Sequence, residues 1–143
     1  MIVLDDRLLF EVLSGAETAD LARLAADGIA TTFSWYYRLS RAISTERVDG
    51  SLTREFAALS DARRSYVHRL LEDLPSIIEM LHPRELVPSM SAVAALTSVN
   101  FLTAEAIASS LILEAPTVVS TRSALMERAA LEAGVECVVV RRM

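Results

Sequence analysis

Apolar positions along this chain follow two rhythms. Short unbroken apolar runs alternate with longer stretches in which apolar residues return every three or four positions. Ile2-Val3-Leu4 is too short for a helix and predicts a buried strand ending at Asp5-Asp6. Leu8, Leu9, Val12 and Leu13 follow at helical spacing, with Gly15 as a stop. Thr18 to Ala26 carries Leu21, Leu24 and Ala25 on one face and is closed by Gly28. Ile29 to Phe33 predicts a second strand. Ser34 is then the expected cap of a helix through Trp35, Leu39, Ala42 and Ile43.

Val48-Asp49-Gly50-Ser51 is a turn signal. Two helices are expected after it, Leu52 to Leu59 and Ala62 to Leu74, the second capped by Asp61 and ended by Pro75. Ser76 to Leu81 is ambiguous, and its isoleucines and Pro83 favour a third strand. Pro83 to Leu96 predicts a helix disturbed by Pro88. Thr103 to Leu113 predicts another, capped by Thr103. Thr117 to Val119 reads as a fourth strand, Ser123 to Ala133 as a helix stopped by Gly134, and Val135 to Val140 as a last strand.

This alternation of short apolar strands with helices implies an α/β fold: a parallel sheet of four to five strands flanked by helices. No linker, low-complexity tract or repeat divides the chain, so residues 1–143 are expected to form a single domain. In such sheets ligands bind beyond the carboxyl ends of the strands. That singles out Asp5, Asp6, Ser34, Ser120, Thr121 and Arg122.

Composition narrows the chemistry. The chain has 143 residues, 52% of them hydrophobic, and a net charge of −5. All 14 basic residues are arginine. Without lysine there is no Schiff-base enzyme and no P-loop NTPase or kinase with its usual lysine. One cysteine, Cys137, excludes an intramolecular disulfide and any multi-cysteine metal site. It is expected to be a buried, inert thiol. His68 and His82 lack the companions of a catalytic triad. The N-terminus has no signal-peptide pattern, and no apolar run reaches the length of a membrane span, so a cytoplasmic protein is expected.

Asp5 and Asp6 form an acidic pair at a strand end. Such a pair can hold a divalent cation through hard oxygen ligands, or one member can cap the helix that follows. A receiver domain is excluded, because it needs a lysine after a late strand and an Asp where Thr31 to Ser34 stand.

Three stretches carry a different resemblance. MIVLDDRLLFEVL is similar to an opening strand, acid and helix; LTAEAIASSLILEAPTVVST to a late helix opened by an acid and followed by a strand; LMERAALEAGVECVVV to a closing helix, Gly-Val turn and strand. TTFSWYYRLSRAI falls where a second strand and helix belong. In this order they resemble the PIN domain, the fold of the toxin ribonucleases of toxin–antitoxin pairs. The resemblance implies a three-layer fold and an Mg²⁺- or Mn²⁺-dependent ribonuclease in which clustered carboxylates hold metal that activates water.

Carried over by position, the first-strand acid is matched by Asp5, and the acid opening the late helix by Glu105. The acid expected in the helix after the second strand is missing, and Trp35, Tyr36, Tyr37 and Arg38 stand there. In Ser120-Thr121-Arg122 an arginine replaces the expected aspartate. An arginine stays charged and repels metal, so a salt bridge from Arg122 to Asp5 or Glu105 is expected to fill the site. The counter-reading is that Asp5, Asp6 and Glu105 still hold one ion.

Trp35, Tyr36 and Tyr37 read either as a stacking platform for RNA bases or as core. The core reading is favoured for at least two of them. Residues 38–69 carry seven arginines and four acids, a net +3, against −8 elsewhere. That segment is a candidate phosphate-binding patch or a solvated face. Leu8 to Leu13 and Met90 to Leu96 are a dimer seam or ordinary core.

Two functions follow. The missing acids favour a degenerate relative that binds RNA or a protein, with no metal. The alternative is an active Mg²⁺- or Mn²⁺-dependent ribonuclease with an antitoxin-like partner. A homo-oligomer is expected for either. An unrelated doubly wound domain is the third possibility.

Overall fold

The computed structural model describes residues 1–45 and 50–140. Among these residues, five strands form one fully parallel sheet: β1 (Ile2–Leu4), β2 (Ile29–Thr31), β3 (Ile78–Glu79), β4 (Thr117–Val119) and β5 (Cys137–Val139). Their spatial order is β3-β2-β1-β4-β5. Eight helices are described: α1 (Asp6–Ser14), α2 (Ala19–Leu24), α3 (Phe33–Ser44), α4 (Ser51–Ala57), α5 (Asp61–Glu72), α6 (Pro83–Leu96), α7 (Phe101–Leu113) and α8 (Ala124–Ala133). The α/β fold with a flanked parallel sheet is the one the alternating pattern predicts.

Most strand positions are apolar because helices cover both faces; Thr31 and Thr117 are buried with their hydroxyls hydrogen-bonded, and Glu79 is exposed on the edge strand β3. Val3 of β1 aligns with Ala30 of β2 and Thr117 of β4. Val3, Ala30 and Val119 pack into one cluster with Ile107, Val93 and Ala129 from α7, α6 and α8. Ile2 and Leu4 point the other way, onto Leu8 of α1 and Leu21 of α2. A third cluster joins Leu9 and Leu13 to Leu39 and Ile43 of α3, Phe56 of α4, and Val67 and Leu71 of α5. The helices therefore form two layers, with α1, α2, α4 and α5 on one face and α6–α8 on the other; α3 meets the first through Leu39 and Ile43 and the second through Trp35.

Caps account for most of the boundary differences. Thr32, not Ser34, opens α3: its hydroxyl accepts from the Trp35 N–H, and β2 stops at Thr31. Asn100, not Thr103, opens α7, accepting at 2.8 Å from the Thr103 N–H. Ser60, not Asp61, opens α5. In each case a polar residue one to three places upstream reached the free N–H groups first. His82 caps α6 in a capping box with Glu85, and Pro88 lies inside that helix without ending it. The expected strands Ser76 to Leu81 and Val135 to Val140 shrink to two and three residues. The turn expected at Val48 to Ser51 lies largely outside the described residues.

No single described helix is long and apolar enough to cross a membrane. Helices α6 and α7 are bent by 113° to each other, and residues 103–110 of α7 are buried. Leu8 and Leu13 are core, whereas in α6 Val93 is buried and Leu96 is exposed.

Truncation tests the layer at α7. Ile107→Ala is expected to cost about 2–5 kcal/mol and to lower Tm by roughly 10 °C in a calorimetric melt. Leu131→Ala, at an exposed position on α8, is expected to change Tm by no more than about 2 °C.

Candidate functional site

Strand order reverses between β1 and β4, because the chain builds outward from β1 to β3 and then returns to the other side. Such a switch point leaves a crevice beyond the carboxyl ends of the two strands. Asp5 follows β1 and Ser120 follows β4.

Asp5 is 7% exposed. Its backbone N–H extends the ladder to the Val118 carbonyl. Its side chain is the N-cap of α1, with Oδ1 accepting from the Leu8 N–H at 2.9 Å. Oδ2 accepts from the Ser120 N–H at 2.7 Å and from the Ser120 hydroxyl at 2.8 Å. Both oxygens are thus engaged in joining β1, α1 and β4. Burial raises the Asp5 pKa above the ordinary aspartate value; the bonds from Ser120 and Leu8 oppose this, and the charge of Asp6 adds to it. Desolvation prevails.

Asp6 stands in the first turn of α1, where a negative charge is favourable. Its Oδ2 lies 3.5 Å from Nε of Arg38 on α3. Arg7, next along, pairs with Glu55 at 2.8 Å and also reaches the Ser51 hydroxyl.

Glu105 is 3% exposed. Its Oε1 accepts from the Ser34 N–H at 3.0 Å, across 71 positions of chain. It therefore supplements Thr32 at the N-terminus of α3. The structure brings Asp5 and Asp6 to the wall of a cavity of about 390 Å³, whose lining also includes Arg38, Ser120, Thr121 and Trp35 but not Glu105. A second cavity of about 420 Å³ shares Asp6, Arg38 and Ser51 with it and adds Arg41 and Thr45. Through these shared residues the two adjoin as one cleft, lined by Asp5, Asp6 and Arg7 as well as by Arg38 and Arg41 of α3.

The expected salt bridge from Arg122 into this cleft is absent. Its side chain is 66% exposed and pairs with Glu127 of α8, at 3.0 Å from Nε. Arg122 lies after the strand end, and a glutamate five positions on is within reach without crossing the crevice. Ser120 takes the place expected for Arg122 as the partner of Asp5.

The aromatic cluster divides. Trp35 is buried against the sheet, and Tyr36 is half-buried with its hydroxyl donating to the Leu71 carbonyl. Tyr37 is exposed and stacks on Phe33. By sequence pattern Phe33 reads as the end of a β-branched strand, but it stands in the first turn of α3. Its helical position four residues before Tyr37 is the signal that finds it.

His68 packs edge-on against Phe56, and His82 is a helix cap. Cys137 is half-buried rather than buried, and desolvation raises its thiol pKa. Arg47 lies outside the described residues.

These donors do not fit the metal cluster that the resemblance implies. Asp5 has both oxygens committed, Asp6 faces an arginine, and Glu105 is held at a helix end. Among the described residues, no three His, Cys, Asp or Glu side chains are grouped to hold an ion. No protein-family model matches the chain, and no curated protein matches it.

Two outcomes test the assignment of Asp5. Asp5→Ala is expected to cost about 1–3 kcal/mol in denaturant unfolding, since it strands the Ser120 and Leu8 N–H groups. Ser120→Ala keeps the backbone donor and is expected to cost about 1 kcal/mol. The raised pKa sets the sign with pH. The stability contributed by Asp5 titration is complete below the ordinary aspartate range and is lost as pH rises through the elevated value. Carboxyl NMR is expected to place the Asp5 midpoint above the ordinary range, and that part of the pH–stability curve is expected to vanish in Asp5→Ala.

Proposed function

We propose that this chain is a PIN-like domain whose ancestral metal site has become part of the fold, and that it binds RNA with little or no nuclease activity. The observation that carries the reading is the double commitment of the Asp5 carboxylate, to Leu8 and to Ser120. A carboxylate whose two oxygens already accept three hydrogen bonds has little left for a cation in water-activating geometry. Glu105 and Asp6 are similarly engaged. The strand order, with an acid at the β1 end and the crevice beside it, supports the PIN-like part of the reading.

RNA is favoured over a protein partner by the cleft's cations. Arg38 and Arg41 line it, and α3 carries no Asp or Glu along Phe33–Ser44, in a chain of net charge −5. Arginines on an acid-free helix can meet successive phosphates. Without metal, the cleft can bind and orient a phosphodiester but offers no generated hydroxide for attack.

Thermal melts with and without Mn²⁺, on wild type and Asp5→Asn, test the metal half. A bound ion at a hundred times its Kd adds about 2.7 kcal/mol, and the expected Mn²⁺ shift is none in either protein. A shift lost in Asp5→Asn, together with Mn²⁺-dependent RNA cleavage, would favour the active toxin-type ribonuclease instead. Anisotropy titration of a labelled RNA tests the other half. Wild type is expected to bind, and Arg38→Glu with Arg41→Glu to weaken binding tenfold or more and to flatten its salt dependence. Absence of RNA binding would leave the protein-partner reading, antitoxin-like or self-association, as the successor.

A further inference from the structure

Helix α3 presents two faces. Trp35, Leu39 and Ile43 are buried. Phe33, Tyr37 and Arg41 recur at intervals of four on another face. Phe33 is 58% exposed and Tyr37 is 56% exposed. Their rings are nearly parallel, 10° apart, with centroids 6.3 Å from each other. An exposed aromatic pair of this kind presents flat apolar surface to water, although burying it would be favourable. Beyond it lie Arg41 and Arg38, which line the cleft, and Arg38 is 57% exposed while lying 3.5 Å from Asp6.

We infer that Phe33 and Tyr37 form a base-stacking platform for single-stranded RNA, from which the strand runs along α3 into the Arg38–Arg41 cleft. The inference rests on the RNA-binding reading and adds to it both a stacking site outside the carboxylate crevice and a requirement for unpaired bases. Three features fit this occupant better than a protein. Aromatic faces stack with any unpaired base irrespective of sequence. The cations adjoin the rings on the same helix, Arg41 lying four residues beyond Tyr37, so one strand can meet rings and cations together. The helix bears no acid that would repel phosphate. A duplex hides its base faces and cannot use the platform. The rings do not read the 2′-hydroxyl, so unpaired DNA is expected to share the stacking contribution.

The test uses the full chain and a labelled unpaired twelve-nucleotide RNA carrying 2-aminopurine, beside a hairpin of the same composition and an unpaired DNA. Wild type is expected to bind the unpaired RNA well above the hairpin and to quench the 2-aminopurine. Phe33→Ala with Tyr37→Ala is expected to weaken binding by about fivefold to a hundredfold per base displaced and to abolish quenching. Tyr37→Phe, which keeps the ring, is expected to behave as wild type, and Tyr37→Leu to lose quenching. Both sites are exposed, so circular dichroism melts are expected to show all variants folded.

The ways to fail are distinct. If wild type binds RNA and loses it with Arg38→Glu and Arg41→Glu but not with the ring variants, the platform is overturned and the RNA reading stands. If wild type binds no RNA, both fall. If the double ring variant instead converts a dimer to a monomer in sedimentation, the face serves self-association and the platform is overturned.

Discussion

The carboxylate of Asp5 is the point on which the site end of the molecule depends. One side chain closes β1, opens α1 and holds the first residue after β4. It does this where, among the described strands, the order reverses between β1 and β4, which leaves a crevice beyond the strand ends. The crevice left by the topology is also where a buried carboxylate needs partners most. Ser120 supplies two of them and Leu8 the third. A buried carboxylate persists only if its lone pairs are engaged. Here that engagement and the closure of the sheet are the same set of bonds.

A second carboxylate repeats the device on the other helix. Glu105 reaches from α7 to the first turn of α3, where the helix dipole and a free N–H favour a negative group. Asp5 and Glu105 thus both act at helix N-termini, but on different helices. Asp6 remains at the cleft, and Arg38 meets it there. The cleft thus carries both signs of charge, Asp5 and Asp6 beside Arg7, Arg38 and Arg41.

The division of the aromatics on α3 follows from helical geometry. Residues 35, 39 and 43 share the buried face, and 33, 37 and 41 share an exposed one. Tyr36 lies between them, burying its ring while its hydroxyl finds the Leu71 carbonyl. The exposed pair is therefore not a packing accident of loop chemistry but one consistent face of a regular helix.

Much of this architecture was legible in the sequence. The apolar run Ile2 to Leu4 and the β-branched run Thr117 to Val119 specify strands covered on both sides, and helical spacing places Leu8, Leu9 and Leu13 in the core, because both patterns are local. The acid at the first strand end was equally visible. Helix starts were less so, since Thr32, Asn100 and Ser60 each compete with neighbours of the same capping chemistry. The partners were not legible at all. Asp5 meets Ser120 across 115 positions, Glu105 meets Ser34 across 71, and Arg122 turns to nearby Glu127 instead of the crevice. Local sequence sets which residues are polar and which face they take. Only packing of distant segments decides which carboxylate meets which donor, because a hydrogen bond is made within about 3 Å and the chain has no local record of that distance.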